Sequence, residues 1–302
     1  MKEDQSIMKV SILIVNYNTE TYIHSLLVSI INQSMIKKNF EIIISNNVQN
    51  TNLTQMIEKN SLDQDLNIKV LQMISNIGFG RAMNEAAKAS HAEHLLIINP
   101  DVLLDDIHYL DKMLDYLTSN PNYGVATSRA FNDDGEYKND RYTYEFFDNL
   151  GYDDQVCWFQ GSLLFIRRDV FKELGGFDKD YFMYCEDEDL CYRIKNKGYS
   201  LLKNHKLSFY HKGGASEPNQ DYDYYYRHFK SMLLFMHKHK EERFFNEFIK
   251  ELNKKNIKRV KRYAVLGKFS HKYRNRGLKA QVMHDITYQI LENSAKYLYF
   301  DK

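Results

Sequence analysis

The sequence predicts an α/β fold: an open, mostly parallel central sheet flanked by helices and followed by a helical C-terminal extension. Three observations predict it. Short Ile/Leu/Val-rich runs alternate with helical patterns through residues 9–99. Those runs are continuously apolar, as parallel strands buried on both faces require. From about Tyr224 onward the apolar residues recur with a helical period instead.

The elements follow in order. "KVSILIV" (9–15) predicts a strand and "TETYIHSLLVSIINQ" (19–33) a helix, with Thr19 at its N-cap. "FEIIIS" (40–45), "NIKVLQM" (67–73) and "HLLIIN" (94–99) predict three more strands, with a helix over "GRAMNEAAKAS" (80–90) between the last two. Ligands of open α/β sheets bind beyond the carboxyl ends of the strands. That rule nominates residues 15–18, 45–47, 75–80 and 99–101. "NDDGEY" (132–137) reads as a hairpin turn and "VCWFQGSLLFIRR" (156–168) as one long strand crossing the core. "LLKNHKLSFYHKGGAS" (201–216) reads as a strand running into a Gly-rich loop. Phe245, Phe248, Ile249 and Leu252 fall at i, i+3, i+4 and i+7, and Val282, Ile286 and Ile290 predict a last helix. The change of pattern sets a soft boundary near Asp223, giving a domain over 1–223 and a helical, basic extension over 224–302.

Composition narrows the function classes. The chain has 302 residues, 43% of them hydrophobic, which supports a sizeable core and argues against global disorder. Its net charge of +1 gives no bulk electrostatic case for nucleic acid. Cys157, Cys185 and Cys191 lack the paired spacing of a disulfide framework and fit a reducing cytosol. The apolar run Val10 to Val15 is too short for a signal peptide, and no apolar run approaches the length of a membrane span. Charge is nevertheless uneven. Between Lys250 and Lys279 there are twelve Lys/Arg and one acid, Glu251. Such a segment fits a solvated helical face, and it also fits docking to anionic lipid head groups. No recognition motif accompanies it, so nucleic acid is not expected as a partner.

Four stretches carry candidate chemistry. In "INPDV" (98–102) a strand ends, Pro100 blocks its continuation, and Asp101 stands at the carboxyl edge. Its carboxylate fits a turn or helix cap, and it also fits a ligand to a hard divalent cation shared with a phosphate. "SNIGFGRAMN" (75–84) sets two glycines before a helix, either as an ordinary junction or as a close backbone approach to an anion. "FYHKGGAS" (209–216) places His211 at a strand end before a Gly-Gly pair, as a structural histidine or as a metal or phosphate contact. "FMYCEDEDLCYR" (182–193) sets four acids at a helix start. Acids in a first turn gain from the helix dipole. Asp187 shares a face with Leu190, Cys191 and Ile194, however, so that face turns inward and Asp187 sits at the rim of the core. A carboxylate so placed is a candidate general base, since partial burial raises its pKa. Asp189 is placed to pair with Arg193 at i+4.

The order and spacing of these pieces resemble the inverting glycosyltransferases of family 2, which have the GT-A fold. The branch they look most like holds rhamnosyltransferases and related O-antigen, capsule and cell-wall enzymes. The matching text is "ILIVNYN" (12–18), "NIGFGRAMN" (76–84), "LIINPDV" (96–102), "GSLLFIRRDVFKELGGFDKDYFMYCEDEDLCYRIKNKGY" (161–199) and "HKGGAS" (211–216), within about residues 7 to 230.

The resemblance implies roles by position. Asn99 and Asp101 stand at the family's Asp-x-Asp motif, so that Asp101 would ligate Mg²⁺ or Mn²⁺ on the donor diphosphate, with His211 completing the metal site. Asp187 matches the catalytic base, with Glu186 beside it. Val15, Asn16, Asn18, Asn76, Gly78 and Asn84 fall where the family holds the nucleotide. Trp158, Gln160, Gly161 and Asp178 fall near the sugar and acceptor surface. Two departures stand out. Asn46 occupies the place of an aspartate that usually reads the base, and Met83, not arginine, precedes Asn84. The implied donor is a nucleotide-diphospho-sugar, with dTDP-L-rhamnose foremost and UDP-hexose, UDP-galactofuranose and UDP-N-acetylhexosamine as alternatives. The implied acceptor is a glycan or polyprenol-linked glycan, met in the cytoplasm or peripherally on the inner face of the cell membrane. From other classes, a non-catalytic nucleotide-sugar-binding member and a metal-dependent phosphohydrolase remain. The first is disfavoured by Asp101, Asp187 and His211, the second by the lack of a further acidic or His-rich motif.

Overall fold

A computed structural model describes residues 8–50, 52–144, 155–214 and 219–300. Ala215 and Ser216, at the end of the expected Gly-rich loop, lie outside the described residues. The chain forms two compact units: Met1–Asp178 with Asp187–Ser216, and Lys179–Glu186 with Glu217–Lys302.

The first unit is built on a mixed sheet. Its elements are β1 (Val10–Asn16), α1 (Glu20–Ile31), β2 (Phe40–Asn46), α2 (Asn52–Lys59), α3 (Leu62–Asp65), β3 (Ile68–Gln72), α4 (Phe79–Lys88), β4 (His94–Ile98), β5 (Val102–Leu103) and α5 (Tyr109–Thr118). There follow β6 (Tyr123–Asn132), β7 (Gly135–Tyr137), β8 (Asp140–Arg141), β9 (Trp158–Phe159), β10 (Leu163–Arg167), α6 (Arg168–Glu173), α7 (Glu186–Asn196) and β11 (Ser200–His211). The strand order is β3-β2-β1-β4-β10-β6-β11-β5, with β7 added to β6. β3, β2, β1 and β4 are parallel, as the buried apolar runs predict. β10 is antiparallel to both β4 and β6.

Alternation along the parallel strands fills two cores. Ile12, Ile14, Ile42, Ile44, Leu96 and Ile98 face one side, where α1, α2 and α5 pack. Leu13, Val15, Ile43, Leu95 and Ile97 face the other, where α4, α6 and α7 pack. Each such side chain withdrawn from water is worth roughly 1.5–3 kcal/mol. Order reverses at β1, with β2 on one side and β4 on the other. A crevice at the carboxyl ends of such neighbours is where this kind of sheet receives ligands.

One expectation needs correction, and another holds in position without its side-chain bond. Residues 156–168 do not form one strand. β9 pairs with β8 in a separate ribbon, the chain turns at 160–162, and only then does β10 enter the sheet. The turn is imposed from a distance, because the Gly161 N–H donates to the Asp187 carboxylate (2.7 Å). Thr19 stands at the N-cap of α1 as expected, its carbonyl accepting from the Ile23 N–H (3.0 Å), but its hydroxyl caps no helix N–H. The hydroxyl donates to Asn16 Oδ1 (3.0 Å), as does the Thr19 N–H, so Asn16 holds the turn into the helix.

The second unit contains α8 (Tyr222–His239), α9 (Glu242–Leu266) and α10 (His271–Asn293). Phe245 and Ile249 on α9 and Val282, Ile286 and Ile290 on α10 are buried, so the helical period was correctly located. No described helix is long and apolar enough to cross a membrane.

Candidate active site

Asp101 and His211 meet at the carboxyl edge of the sheet. After β4 the chain turns, with the Val102 N–H donating to Asn99 O (3.2 Å). β5 then pairs antiparallel with the end of β11, Val102 opposite His211. That register brings His211 Nε2 to 3.3 Å from Asp101 Oδ1, with both side chains largely buried. On the other side of the ring, His211 Nδ1 is hydrogen-bonded to the Tyr137 hydroxyl. Burial pushes the Tyr137 phenol up to about 12, so it stays protonated through the neutral range.

These two donors fit a divalent cation. A carboxylate oxygen and an imidazole nitrogen stand adjacent on rigid strand ends, and imidazole with carboxylate suits Mn²⁺ better than Mg²⁺. Among the described residues no third His, Cys, Asp or Glu joins them. The pair therefore fits a cation that shares its ligands with a substrate phosphate, not one caged by protein alone. Tyr137 would fix the His211 ring so that Nε2 faces the ion.

Asp187 is held from two sides. It lies in the first turn of α7, where Oδ1 accepts from the Glu188 N–H (2.8 Å). Oδ2 accepts from the Gly161 N–H (2.7 Å). A β-carbon on Gly161 would stand 3.3 Å from Oδ2, so a glycine keeps the backbone against the carboxylate. Burial raises the Asp187 pKa, and the N–H bonds from Gly161 and Glu188 pull against it without cancelling it. The inward face is as expected: Leu190, Cys191 and Ile194 are fully buried. The neighbouring acids are not a solvated helix start, since Glu186, Glu188 and Asp189 are buried too. Asp189 is held by Arg193 Nε (2.7 Å), whose other nitrogens donate to the carbonyls of Leu174 and Gly176. Glu186 opens α7 and belongs to the second unit, Asp187 to the first.

One backbone path joins the two carboxylates. The Asn99 N–H donates to Ser162 O (2.9 Å), and the adjacent Gly161 N–H reaches Asp187. Gln160 is fixed beside them by its N–H to Asn139 O (2.9 Å). Trp158 is half-buried on β9, its indole N–H donating to Thr143 O (3.3 Å) and its ring under Arg141. Asp178 is half-buried at the end of the first unit's long segment.

The expected nucleotide positions divide. Val15 and Asn16 end β1 in the buried layer, while Asn18 is exposed with φ 56°. Asn76 accepts from the Gly78 N–H (3.0 Å), and Gly78 opens α4 at φ 86°, a left-handed value that favours glycine. Asn46 does not face solvent. Its Oδ1 accepts from Asn16 (2.8 Å) and its Nδ2 donates to Gln72 (2.8 Å). Asn84 spends its amide on the backbone of Phe177, donating to the carbonyl (2.8 Å) and accepting from the N–H (2.9 Å). The preceding Met83 is fully buried core. Sequence reading missed Tyr137. Its position on the predicted hairpin was visible, but its contact with His211 was not.

Comparison with known proteins bears on the family and the fold. The family model described as "Glycosyl transferase family 2" matches residues 11–175, more than half of the chain. The chain is 26% identical over 223 residues to rhamnosyltransferase WbbL of Escherichia coli (strain K12), covering 64% of this chain and 79% of that protein. It is 35% identical over 81 residues to the N-acetylglucosaminyl-diphospho-decaprenol L-rhamnosyltransferase of Mycobacterium tuberculosis, covering 27% of this chain and 26% of that one. Its fold is similar to that of the mannosyltransferase PcManGT from Pyrobaculum calidifontis, solved with GDP-Man and Mn²⁺. The TM-score is 0.61 at 15% identity, covering 95% of this chain and 88% of the other.

Proposed function

The chain belongs to glycosyl transferase family 2, and on that premise we propose that it is an inverting, metal-dependent transferase of surface-glycan assembly. The donor we assign is dTDP-L-rhamnose, which the two rhamnosyltransferase relatives support. The acceptor is a hydroxyl of a growing glycan on a polyprenyl diphosphate carrier, at the cytosolic face of the membrane.

The observation that carries the reading is the backbone path from Asp101 through Asn99–Ser162 and Gly161 to Asp187. It ties the carboxylate that would hold the donor's cation to a proton acceptor through short turns. Asp187, ionised, takes the proton of the acceptor hydroxyl. The oxygen attacks the anomeric carbon opposite the diphosphate, a new C–O bond forms, and the bond to the diphosphate breaks. The nucleoside diphosphate leaves with the electron pair, and Asp187 returns its proton to solvent. Asp101 and His211 would hold the cation, which supplies positive charge to the leaving diphosphate. The Gly161 and Glu188 N–H groups orient the carboxylate. Asn18, Asn76 and Gly78 would line the nucleotide side, and Trp158, Gln160 and Asp178 the sugar and acceptor side, while the buried Asn16 side chain is taken up by Thr19, Glu20 and Asn46.

Calorimetry with dTDP-, UDP- and GDP-sugars, with and without Mn²⁺, tests this. The expected result is tightest binding of dTDP-L-rhamnose, dependent on Mn²⁺ and lost in Asp101→Ala. Tighter binding of a UDP- or GDP-sugar would overturn the donor. Binding indifferent to Mn²⁺ would remove Asp101 and His211 from a metal site.

A further inference from the structure

The basic run of α9 and α10 is not evenly solvated surface. Lys258, Lys261, Arg262 and Val265 stand at i, i+3, i+4 and i+7, which places them on one face of α9. All four are exposed, while Phe245, Ile249 and Asn256 fill the opposite, buried face. The chain then turns through Gly267 into α10, and the turn presents Phe269 at 84% exposure beside Val265 at 60%. Lys268 and Lys272 flank Phe269 and are exposed as well.

The turn is built, not frayed. The Gly267 N–H donates to Tyr263 O (2.8 Å) and the Phe269 N–H to Leu266 O (3.1 Å). The Tyr263 and Tyr273 rings stack at 6.0 Å. A β-carbon on Gly277 would stand 3.2 Å from Tyr263 Cβ, so α10 passes close to α9 just behind the turn. Phe269 and Val265 therefore point outward from a closed hairpin. None of the twelve Lys and Arg residues between Lys250 and Lys279 forms an ion pair with a described residue.

We propose that the α9–α10 turn is a docking surface for an anionic lipid bilayer, with Phe269 and Val265 entering the acyl boundary and the flanking lysines and arginine meeting head-group phosphates. Charge complementarity selects the occupant. An unpaired basic face attracts an anionic surface, and two apolar side chains at its apex gain only where the partner offers a hydrocarbon layer. A nucleic acid satisfies the charge and could stack Phe269, but it gives Val265 nothing. The inference goes beyond the transfer reaction and does not depend on it, because vesicle binding needs neither donor nor acceptor.

The test is flotation of the full chain with vesicles of phosphatidylglycerol and phosphatidylcholine against phosphatidylcholine alone, across a salt series. Binding to the anionic vesicles alone, weakening as salt rises, is expected. Lys261→Gln with Arg262→Gln should weaken it roughly tenfold or more, at about 1 kcal/mol per basic residue. Phe269→Ser with Val265→Ser should weaken it at low and high salt alike. As an independent readout, Phe269→Trp should show blue-shifted emission with anionic vesicles and quenching by acyl-brominated lipid, read against the parent protein's single Trp158. Absent or charge-indifferent vesicle binding would overturn the proposal. So would Phe269→Trp emission that vesicles leave unmoved, or duplex DNA binding at matched charge that equals vesicle binding.

Discussion

Asp187 is under opposing pulls. Burial raises its pKa, while the Gly161 and Glu188 N–H groups favour the charged form, and burial wins. The sign then fixes the pH behaviour. As the proposed base, Asp187 must be ionised for transfer, so activity is expected to fall as pH drops through the raised value. The acid limb of kcat should therefore lie above the ordinary aspartate value of about 4. Stability runs the other way: the buried charge costs folding free energy above that pH, and the cost fades as pH falls. A pH–rate profile beside a pH–stability profile checks both signs. His211 makes a second prediction. Tyr137→Phe removes the hydrogen bond to Nδ1, which should weaken Mn²⁺ about tenfold or more by calorimetry while leaving the fold intact. Asp187 was legible in the sequence because the i, i+3, i+4, i+7 rule set it on the apolar face of its helix. Tyr137 was not, because its contact requires β7 and β11 to flank β6 together, and no local pattern encodes that pairing.

At the scale of elements, β1, β2 and β4 were legible because burial on both faces demands apolar runs, and those are visible residue by residue, while the edge strand β3 showed as Ile, Val and Leu interrupted by Lys69. The break between β9 and β10 was not legible. "VCWFQGSLLFIRR" breaks its apolar run only at Gln160, Gly161 and Ser162 before the closing arginines, and the turn there answers to an aspartate 26 residues further on. Asn84 shows the same limit. The resemblance set it near the nucleotide, yet its amide fastens α4 to the Phe177 backbone. Asn84→Ala should therefore lower stability by about 1–3 kcal/mol, the usual cost of stranding buried polar groups. Donor affinity should hardly change. Thermal melts and calorimetry on the same variant separate the two, and a large loss of affinity at unchanged Tm would return Asn84 to the nucleotide site.

At the scale of the whole molecule, the sheet gives the chemistry its rigidity. Asp101 follows β4, His211 ends β11, and Gly161 precedes β10, all strands of one hydrogen-bonded layer. A donor held there stabilises the folded state by mass action, about 2.7 kcal/mol at a hundredfold excess over Kd. In the proposed function Asp187 is the base and not merely a helix-start residue. The most direct measurement is single-turnover transfer by Asp187→Asn, with donor affinity taken on the same preparation. Donor binding within a few-fold of wild type is expected, with transfer lowered by roughly 10²–10⁴, the usual contribution of a positioned base. Donor binding and transfer lost together, or transfer retained, would contradict it.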